Sequence, residues 1–268
     1  MPLTPFQSEL AGLLAKQRSP DSYLAGGAAL HIEANGKRYS NDLDFFHDSV
    51  ERTAEAFAQD RQLLEDNAFV VTTDIVQPGY IRTIVSRGDD STRVEWACDS
   101  AWRFLPTIKD DRVGYLLHPI DLAINKLLAL VGRDEPRDFL DVLHIHDEVL
   151  PLGALCWAAS GKDPGFTPLL LLDLLRRRGQ YRPEDFAPLR LVEPVDLPQI
   201  KRHWLTLLDE IEQFVRSRPP QELGCLYFSP KLDKFIQPST DEKDILLHFG
   251  RPGGILPSIV NSEREGER

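Results

Sequence analysis

The sequence predicts an α+β fold, with a mixed sheet flanked by helices in the N-terminal half and mostly helices in the C-terminal half. Three observations lead to this prediction. Strand-like and helix-like runs alternate up to about residue 148, strand signals become rare beyond it, and no internal repeat interrupts the pattern. We therefore expect an N-terminal domain over 1–148 and a helical C-terminal domain over 149–268.

The first elements alternate between helix and strand. Apolar spacing predicts a helix over about 5–16, and SYLAGGAAL indicates a short strand, a Gly-Gly turn and a helix that continues to about Asn35-Gly36. NDLDFF is typical of a strand, and 50–67 is typical of an amphipathic helix. Three β-rich runs follow, FVVTTDIV, YIRTIVSR and TRVEWAC, and the turn signals between them favour antiparallel connections.

Helices are predicted through most of the remaining chain. Ile120, Ile124, Leu127 and Val131 form an apolar stripe at helical spacing, and a second helix is predicted over about 136–147. Further helices are indicated by LGALCWAAS, TPLLLLDLLRR and DLPQIKRHWLTLLDEIEQFVRSR. The last 40 or so residues are rich in Pro and Gly and contain one short β-like element at GCLYF.

Composition limits the class of protein. With 268 residues and 42% hydrophobic content the chain can bury a proper core, and it has no apolar run long enough to cross a membrane. The N-terminus lacks a signal-peptide pattern, and three widely spaced cysteines suit reduced thiols, so we expect a cytoplasmic protein. The net charge of −11 argues against a general nucleic-acid coat, but a local basic patch could still bind one.

The segment RYSNDLDFF carries two aspartates on a strand whose other face is apolar, and the role of these two charges is the central question of the sequence. Successive strand side chains point to opposite faces, so Asp42 and Asp44 share one face while Leu43 and Phe45 share the other. The two aspartates lie roughly 6.6 Å apart along the strand, where their charges repel unless a cation intervenes. Mg²⁺ prefers one or two protein carboxylates together with phosphate oxygens. The alternative is a solvated aspartate at a strand end beside one that caps a turn.

The surrounding residues favour the metal interpretation. Gly26 and Gly27 lie at a predicted strand-to-helix turn, where glycines let backbone N–H groups approach a phosphate, although a Gly-Gly pair alone can be a simple tight turn. Glu95, in the run TRVEWAC, is the candidate third carboxylate, which could hold a catalytic metal and orient or deprotonate an attacking hydroxyl. Its alternative role is an outward-facing partner of Arg82 or Arg93.

Two blocks of sequence resemble a known family. YLAGGAALHIEANGKRYSNDLDFF resembles the first motif of the AbiEii/AbiGii toxin family of nucleotidyltransferases, which are toxins of type IV toxin–antitoxin systems linked to abortive phage infection. HPIDLAINKLLALVGRDEPRDFLDVLHI is similar to the second block of that family. The resemblance covers roughly 23–146 and implies a DNA polymerase β-like nucleotidyltransferase domain, with a mostly helical C-terminal domain beside it.

The resemblance also implies roles for individual residues. Gly26, Gly27 and Ser40 would bind the nucleotide, and Lys126 would neutralise triphosphate charge. Asp42, Asp44 and Glu95 would be metal ligands and catalytic residues, with Asp138 as the catalytic polar residue of the fourth motif. The family often has Thr where this chain has Ala28, which removes one possible hydroxyl contact. Without the family, Lys126 could be a solvated helix lysine, and Asp138 could cap its helix.

The densest basic cluster occurs in LLRRRGQYRP. It could be a solvated helix end, because cations suit a helix C-terminus, or it could contact RNA. The residues in question are Arg176, Arg177, Arg178 and Arg182.

Taken together, these features predict Mg²⁺-dependent transfer of a nucleoside monophosphate from an NTP to an acceptor hydroxyl, in a two-ion site in the cleft between the domains. By family analogy the acceptor is the tRNA 3′ end and a cognate antitoxin is a partner, while no membrane partner is expected. Two alternatives remain open. A small-molecule, aminoglycoside-type nucleotidyltransferase would need an acidic acceptor pocket, and a non-catalytic nucleotide-binding relative would not need the complete set of Asp42, Asp44 and Lys126.

Overall fold

The sheet and its flanking helices follow the order that the sequence predicts. A computed structural model describes residues 3–32, 38–239, 242 and 244–258. Its α-helices are α1 (Pro5–Leu14), α2 (Gly26–Leu30), α3 (Val50–Asp66), α4 (Pro119–Arg133), α5 (Pro136–Glu148), α6 (Leu152–Lys162), α7 (Pro168–Leu175), α8 (Pro183–Phe186) and α9 (Leu197–Ser217). Its strands are β1 (Ser22–Ala25), β2 (Asp42–His47), β3 (Val70–Gln77), β4 (Tyr80–Arg87), β5 (Asp90–Cys98), β6 (Trp102–Arg103), β7 (Ile108–Asp110), β8 (Gly114–Leu116), β9 (Cys225–Ser229), β10 (Lys234–Ile236), β11 (Leu246–Phe249) and β12 (Arg251–Pro252).

A seven-stranded sheet has the order β3-β4-β5-β2-β1-β8-β7. The β2–β5 and β1–β8 pairs are parallel and the other neighbours are antiparallel, so the sheet is mixed, as predicted. The Gly79 turn and the Gly88 turn close the β3–β4 and β4–β5 hairpins, and both glycines have the positive φ that such turns require.

Strand β2 separates its two kinds of side chain as the alternation predicts. Leu43 and Phe45 are fully buried in a hydrophobic core that also contains Trp96 of β5. That burial fixes the register, because a slip of one residue would bring the two aspartates into the core. Asp42 and Asp44 therefore lie on the opposite face of the sheet.

The short helix α2 differs from its predicted length. It ends at Leu30, and the predicted end at Asn35-Gly36 lies outside the described residues. His31 takes the C-cap position, where its Nε2 lies 2.9 Å from Oδ1 of Asp141 on α5. The residue that follows α2 is thus held by a tertiary contact with α5.

The helices after the sheet build a second hydrophobic core. It joins side chains of α4, α5, α6, α7 and α9 with those of β9. Residues on both sides of position 148 contribute to it, and the division into 1–148 and 149–268 stays a prediction. The GCLYF segment forms β9, the central strand of a three-stranded antiparallel sheet with β10 and β11. Within the part of the chain described here, no helix is both long and apolar enough to cross a membrane.

Candidate active site

Polar side chains from neighbouring strands are brought into register on one face of the sheet. Asp44 of β2 lies opposite Glu95 of β5, and Glu95 lies opposite Arg82 of β4. One layer along, Asp42 lies opposite Arg93. Because these pairings are set by strand register, the predicted third carboxylate is next to the aspartate pair without any loop contribution.

Asp42, Asp44 and Glu95 form a compact carboxylate cluster. One oxygen from each lies within 4.8 Å of the others, and among the described residues this is the single group of three or more side chains that could share a metal ion. Burial, followed by the nearby charges of Asp42 and Glu95, raises the pKa of Asp44 to about 7. The cluster therefore holds more negative charge than it can stabilise by itself, and a cation would relieve that repulsion.

Two of the three carboxylates of the cluster, those of Asp42 and Glu95, are oriented by a neighbouring side chain. The Ser40 hydroxyl donates to Oδ1 of Asp42 at 2.9 Å. Nε of Arg82 donates to Oε1 of Glu95 at 2.8 Å. Glu95 therefore pairs with Arg82 and also belongs to the cluster, and its catalytic role stays a prediction.

Tyr80 supports the Arg82–Glu95 pair. The Arg82 guanidinium carbon lies 5.5 Å from the centroid of the Tyr80 ring, within the range of a cation–π interaction. Burial and a hydrogen bond to Glu95 raise the pKa of Tyr80 to about 12. The Tyr80 hydroxyl thus stays protonated beside Glu95, and the hydrogen bond from Arg82 orients the third carboxylate.

The two glycines allow the backbone to come close to these side chains. Gly26 has a φ of +63°, and a Cβ there would lie 1.8 Å from Oδ2 of Asp44. A Cβ on Gly27 would lie 2.7 Å from Nη2 of Arg38 and 3.2 Å from Oγ of Ser40. The Gly-Gly pair is therefore more than a turn, because each glycine leaves space for a specific polar side chain of the site.

Asp141 of α5 is a second centre of charge, which local sequence pattern did not single out. Its buried carboxylate accepts two hydrogen bonds from Arg38, at 2.8 and 2.7 Å, and lies 2.8 Å from Nζ of Lys126. Burial raises its pKa, but Lys126, His31 and Arg38 lower it more, so the pKa lies well below its ordinary value. The sequence signals were the arginine two residues before Ser40 and the i, i+3 spacing of the acids on α5.

Lys126 is buried. Its position outside the apolar stripe of α4 had allowed a solvated lysine. The reason for the burial is its position between two carboxylates, since Nζ also lies 3.3 Å from Oδ1 of Asp138. Asp138 accepts hydrogen bonds from Arg133 at 2.6 and 2.9 Å and lies behind Lys126 and Arg133 rather than in the cavity wall. A direct catalytic role for Asp138 stays a prediction.

A cavity of about 360 Å³ contains the carboxylate cluster. Its cationic lining residues outnumber its acidic ones, although the whole chain carries a net charge of −11. The acids are those of the cluster, and the cations are Arg38, Arg82, Arg93, Lys126, Arg133 and Arg137. An acidic protein thus presents a locally basic cavity, which is the arrangement that phosphate binding requires.

The predicted RNA-binding arginines lie outside this cavity. Arg176 forms an ion pair with Glu212, and Arg178 donates hydrogen bonds to the carbonyl oxygens of Leu130 and Val131. Arg177 is exposed, and the side chain of Arg182 is 80% exposed, with its guanidinium 3.9 Å from the carboxylate of Glu184. Binding of RNA by this cluster stays a prediction.

The mixed sheet, the paired glycines and the three carboxylates in register are the features of a nucleotidyltransferase. A family model described as "Nucleotidyl transferase AbiEii toxin, Type IV TA system" matches residues 10–237. The chain belongs to this family, which confirms the resemblance, the enzyme class and the link to type IV toxin–antitoxin systems.

The chain is similar to solved structures, one of which supports the architecture. MenT4, a nucleotidyltransferase toxin from Mycobacterium tuberculosis H37Rv, is similar with a TM-score of 0.56 and 17% identity, over 81% of this chain and 83% of that one. JHP933 from Helicobacter pylori has a TM-score of 0.48 and 15% identity, over 79% of this chain and 91% of that one. No curated protein sequence matches the chain. At these identities the likeness to MenT4 extends to the fold, and it confirms the predicted fold class.

Proposed function

We propose that this nucleotidyltransferase moves a nucleoside monophosphate from an NTP to the 3′-terminal hydroxyl of tRNA, with Mg²⁺ as cofactor. The observation that carries the proposal is the carboxylate cluster in a cavity with a cationic lining. We further propose that the protein acts in the cytoplasm, where NTPs and tRNA are found, as the toxin beside the cognate antitoxin that its family implies.

The residues of the cluster fit a divalent cation. Asp42, Asp44 and Glu95 offer oxygen ligands, which Mg²⁺ prefers; burial and the two neighbouring acids raise the pKa of Asp44, so a bound cation would stabilise its ionised form. When bound, two Mg²⁺ ions would neutralise phosphate charge and increase the acidity of the acceptor hydroxyl. All three carboxylates would hold these ions.

The other residues of the cavity would position the NTP. Gly26 and Gly27 lie directly beside Asp44 and Ser40, so a phosphate that meets their backbone N–H groups would be next to the cluster. Arg38 and Lys126, both fixed by Asp141, supply positive charge from the same side. Because these two cations are already held in place, little side-chain entropy is lost when the triphosphate binds.

The reaction then has one bond formed and one broken. The acceptor hydroxyl oxygen attacks the α-phosphorus, and the bond from that phosphorus to the bridging oxygen breaks, so pyrophosphate leaves with the electron pair. Glu95, oriented by Arg82, accepts the hydroxyl proton and passes it to water. The products are the extended acceptor and pyrophosphate.

The charge of the cavity favours a nucleic-acid acceptor. An aminoglycoside is cationic and would need an acidic pocket, whereas six cationic side chains line this cavity. Phosphate groups of a tRNA end are the better match to that lining. The family link to toxicity agrees with this acceptor, because tRNAs blocked at the 3′ end could not be aminoacylated.

The test is transfer of label from each of the four α-³²P NTPs to total tRNA in the presence of Mg²⁺. Asp44→Asn protein is the inactive control, and tRNA oxidised with periodate, which lacks the terminal diol, is the acceptor control. We expect labelled tRNA with the wild-type protein and intact tRNA only. Equal labelling of oxidised tRNA would overturn the 3′-end acceptor, and absence of label from all four NTPs would overturn tRNA as the substrate.

A further inference from the structure

Most cations that line the cavity are neutralised by carboxylates of the protein itself. Arg38 and Lys126 are held by Asp141, and Arg82 is held by Glu95. The remaining paired cations are Arg133, with Asp138, and Arg137, with Glu135 at 2.6 Å and Asp42 at 3.6 Å. Their charges help to organise the cavity, but each already has a counter-ion.

Arg93 differs from these five. Across the described ranges of the chain, its guanidinium forms neither an ion pair nor a hydrogen bond, yet it lines the same cavity. It is exposed, and its backbone position on β5 lies opposite Asp42 and two residues before Glu95. A cation beside two carboxylates of the cluster, but bound to neither, is available to an incoming anion.

An arginine without a carboxylate partner attracts a phosphate more strongly than a paired one. A paired arginine must share its donors with a carboxylate that repels an incoming phosphate, so its net attraction for the phosphate is reduced. An unpaired arginine offers five donors and its full charge, and its planar fork matches two phosphate oxygens. Arg93 is therefore the cavity residue best suited to gain a phosphate contact on substrate binding.

The strand order decides which substrate Arg93 meets. Gly26 and Gly27 follow β1, the carboxylates lie on β2 and β5, and Arg93 lies on β5. Two strand spacings, about 10 Å, thus separate Arg93 from the glycine pair, with Asp42 between them. A triphosphate bound beside the glycines leaves Arg93 on the other side of the reaction centre, where the acceptor must enter.

We propose that Arg93 binds a backbone phosphate of the acceptor strand next to its reactive hydroxyl, and so selects acceptors that carry a phosphodiester. This inference rests on the proposed function and assigns a residue to acceptor recognition. It predicts that the cavity recognises the acceptor by its charge as well as by its hydroxyl.

The test compares Arg93→Gln with the wild-type protein in tRNA binding and in label transfer. Arg87→Gln is the matched control, because Arg87 ends the neighbouring strand β4, pairs with Glu9 and lies outside the cavity. For Arg93→Gln we expect the Kd and KM for tRNA to rise about tenfold while the KM for NTP stays unchanged. The slope of log affinity against log salt concentration should become shallower by about 0.7, the value for one phosphate contact with a single strand.

The outcomes separate this inference from the function on which it rests. Arg93→Lys keeps the charge without the planar fork, and we expect it to recover part of the affinity. Unchanged tRNA binding and an unchanged salt slope in Arg93→Gln, with an active wild-type protein, would overturn the role of Arg93 alone. Wild-type protein that neither binds nor labels tRNA would overturn the proposed acceptor and the role of Arg93 with it.

Discussion

A methyl group at Gly26 has a defined geometric effect on the site. The φ of +63° costs a residue with a side chain about 1–2 kcal/mol. A Cβ there would lie 1.8 Å from Oδ2 of Asp44, and restoring the shortest realistic separation of 3.0 Å needs a shift of about 1.2 Å. Because a misplacement of about 1 Å can reduce a rate roughly 100-fold, Gly26→Ala should lower kcat about 100-fold.

Gly88→Ala is the control variant, because it introduces similar backbone strain without displacing Asp44. Gly88 has a similar φ of +60°, but no heavy atom beyond its chain neighbours lies within 4 Å of its Cβ position. Both variants should lose about 1–2 kcal/mol of stability through the left-handed φ, a fall in Tm of a few degrees for a chain of this size, and Gly26→Ala should lose more because it also displaces Asp44. The assay is label transfer together with thermal melts. A Gly26→Ala protein as active as Gly88→Ala would refute the reasoning that Gly26 makes room for the Asp44 carboxylate.

Three further predictions concern charges around the site. Burial and its acidic neighbours raise the pKa of Asp44 to about 7, so its proton must leave before a cation binds. The Mg²⁺ affinity measured by calorimetry should therefore rise about tenfold from pH 6 to pH 8. Equal affinities at the two pH values would contradict this. Asp141→Ala removes the anion shared by two buried cations and should cost about 3–5 kcal/mol in urea unfolding; a cost under about 1 kcal/mol would argue against its central role. Arg82→Gln removes the ion pair that orients Glu95 and should lower kcat about tenfold while the KM for NTP stays constant. An unchanged kcat would show that the Arg82–Glu95 ion pair does not contribute to catalysis.

The parts of the site that depend on local pattern were predictable from the sequence. Alternation along β2 separates Asp42 and Asp44 from the buried Leu43 and Phe45, and two glycine turns fix the antiparallel hairpins on either side of β4. Glu95 was predictable as the third carboxylate because its charged side chain interrupts a run of β-forming residues. Each of these inferences uses residues that are close in the chain, where periodicity constrains the answer.

The parts that depend on distant contacts were not predictable. Arg38 and Asp141 are 103 residues apart in sequence, and nothing local indicates that they form a buried pair. Lys126 of α4 is buried because Asp138 and Asp141 of α5 compensate its charge. His31, at the C-cap of α2, likewise contacts Asp141, which is 110 residues away. In each case a contact with a carboxylate that is distant in sequence decides the local arrangement.

The central claim is that the carboxylate cluster is the catalytic centre. Its most direct test is to mix the protein with Mg²⁺, NTP and tRNA and to measure the release of pyrophosphate. We predict release by wild-type protein and by Asp74→Asn, which changes an exposed aspartate on β3 of the same sheet. Asp42→Asn, Asp44→Asn and Glu95→Gln should each remain folded and lose the activity, because each removes one member of the carboxylate cluster. Full pyrophosphate release by all three cluster variants would contradict the assignment of this cluster as the catalytic centre.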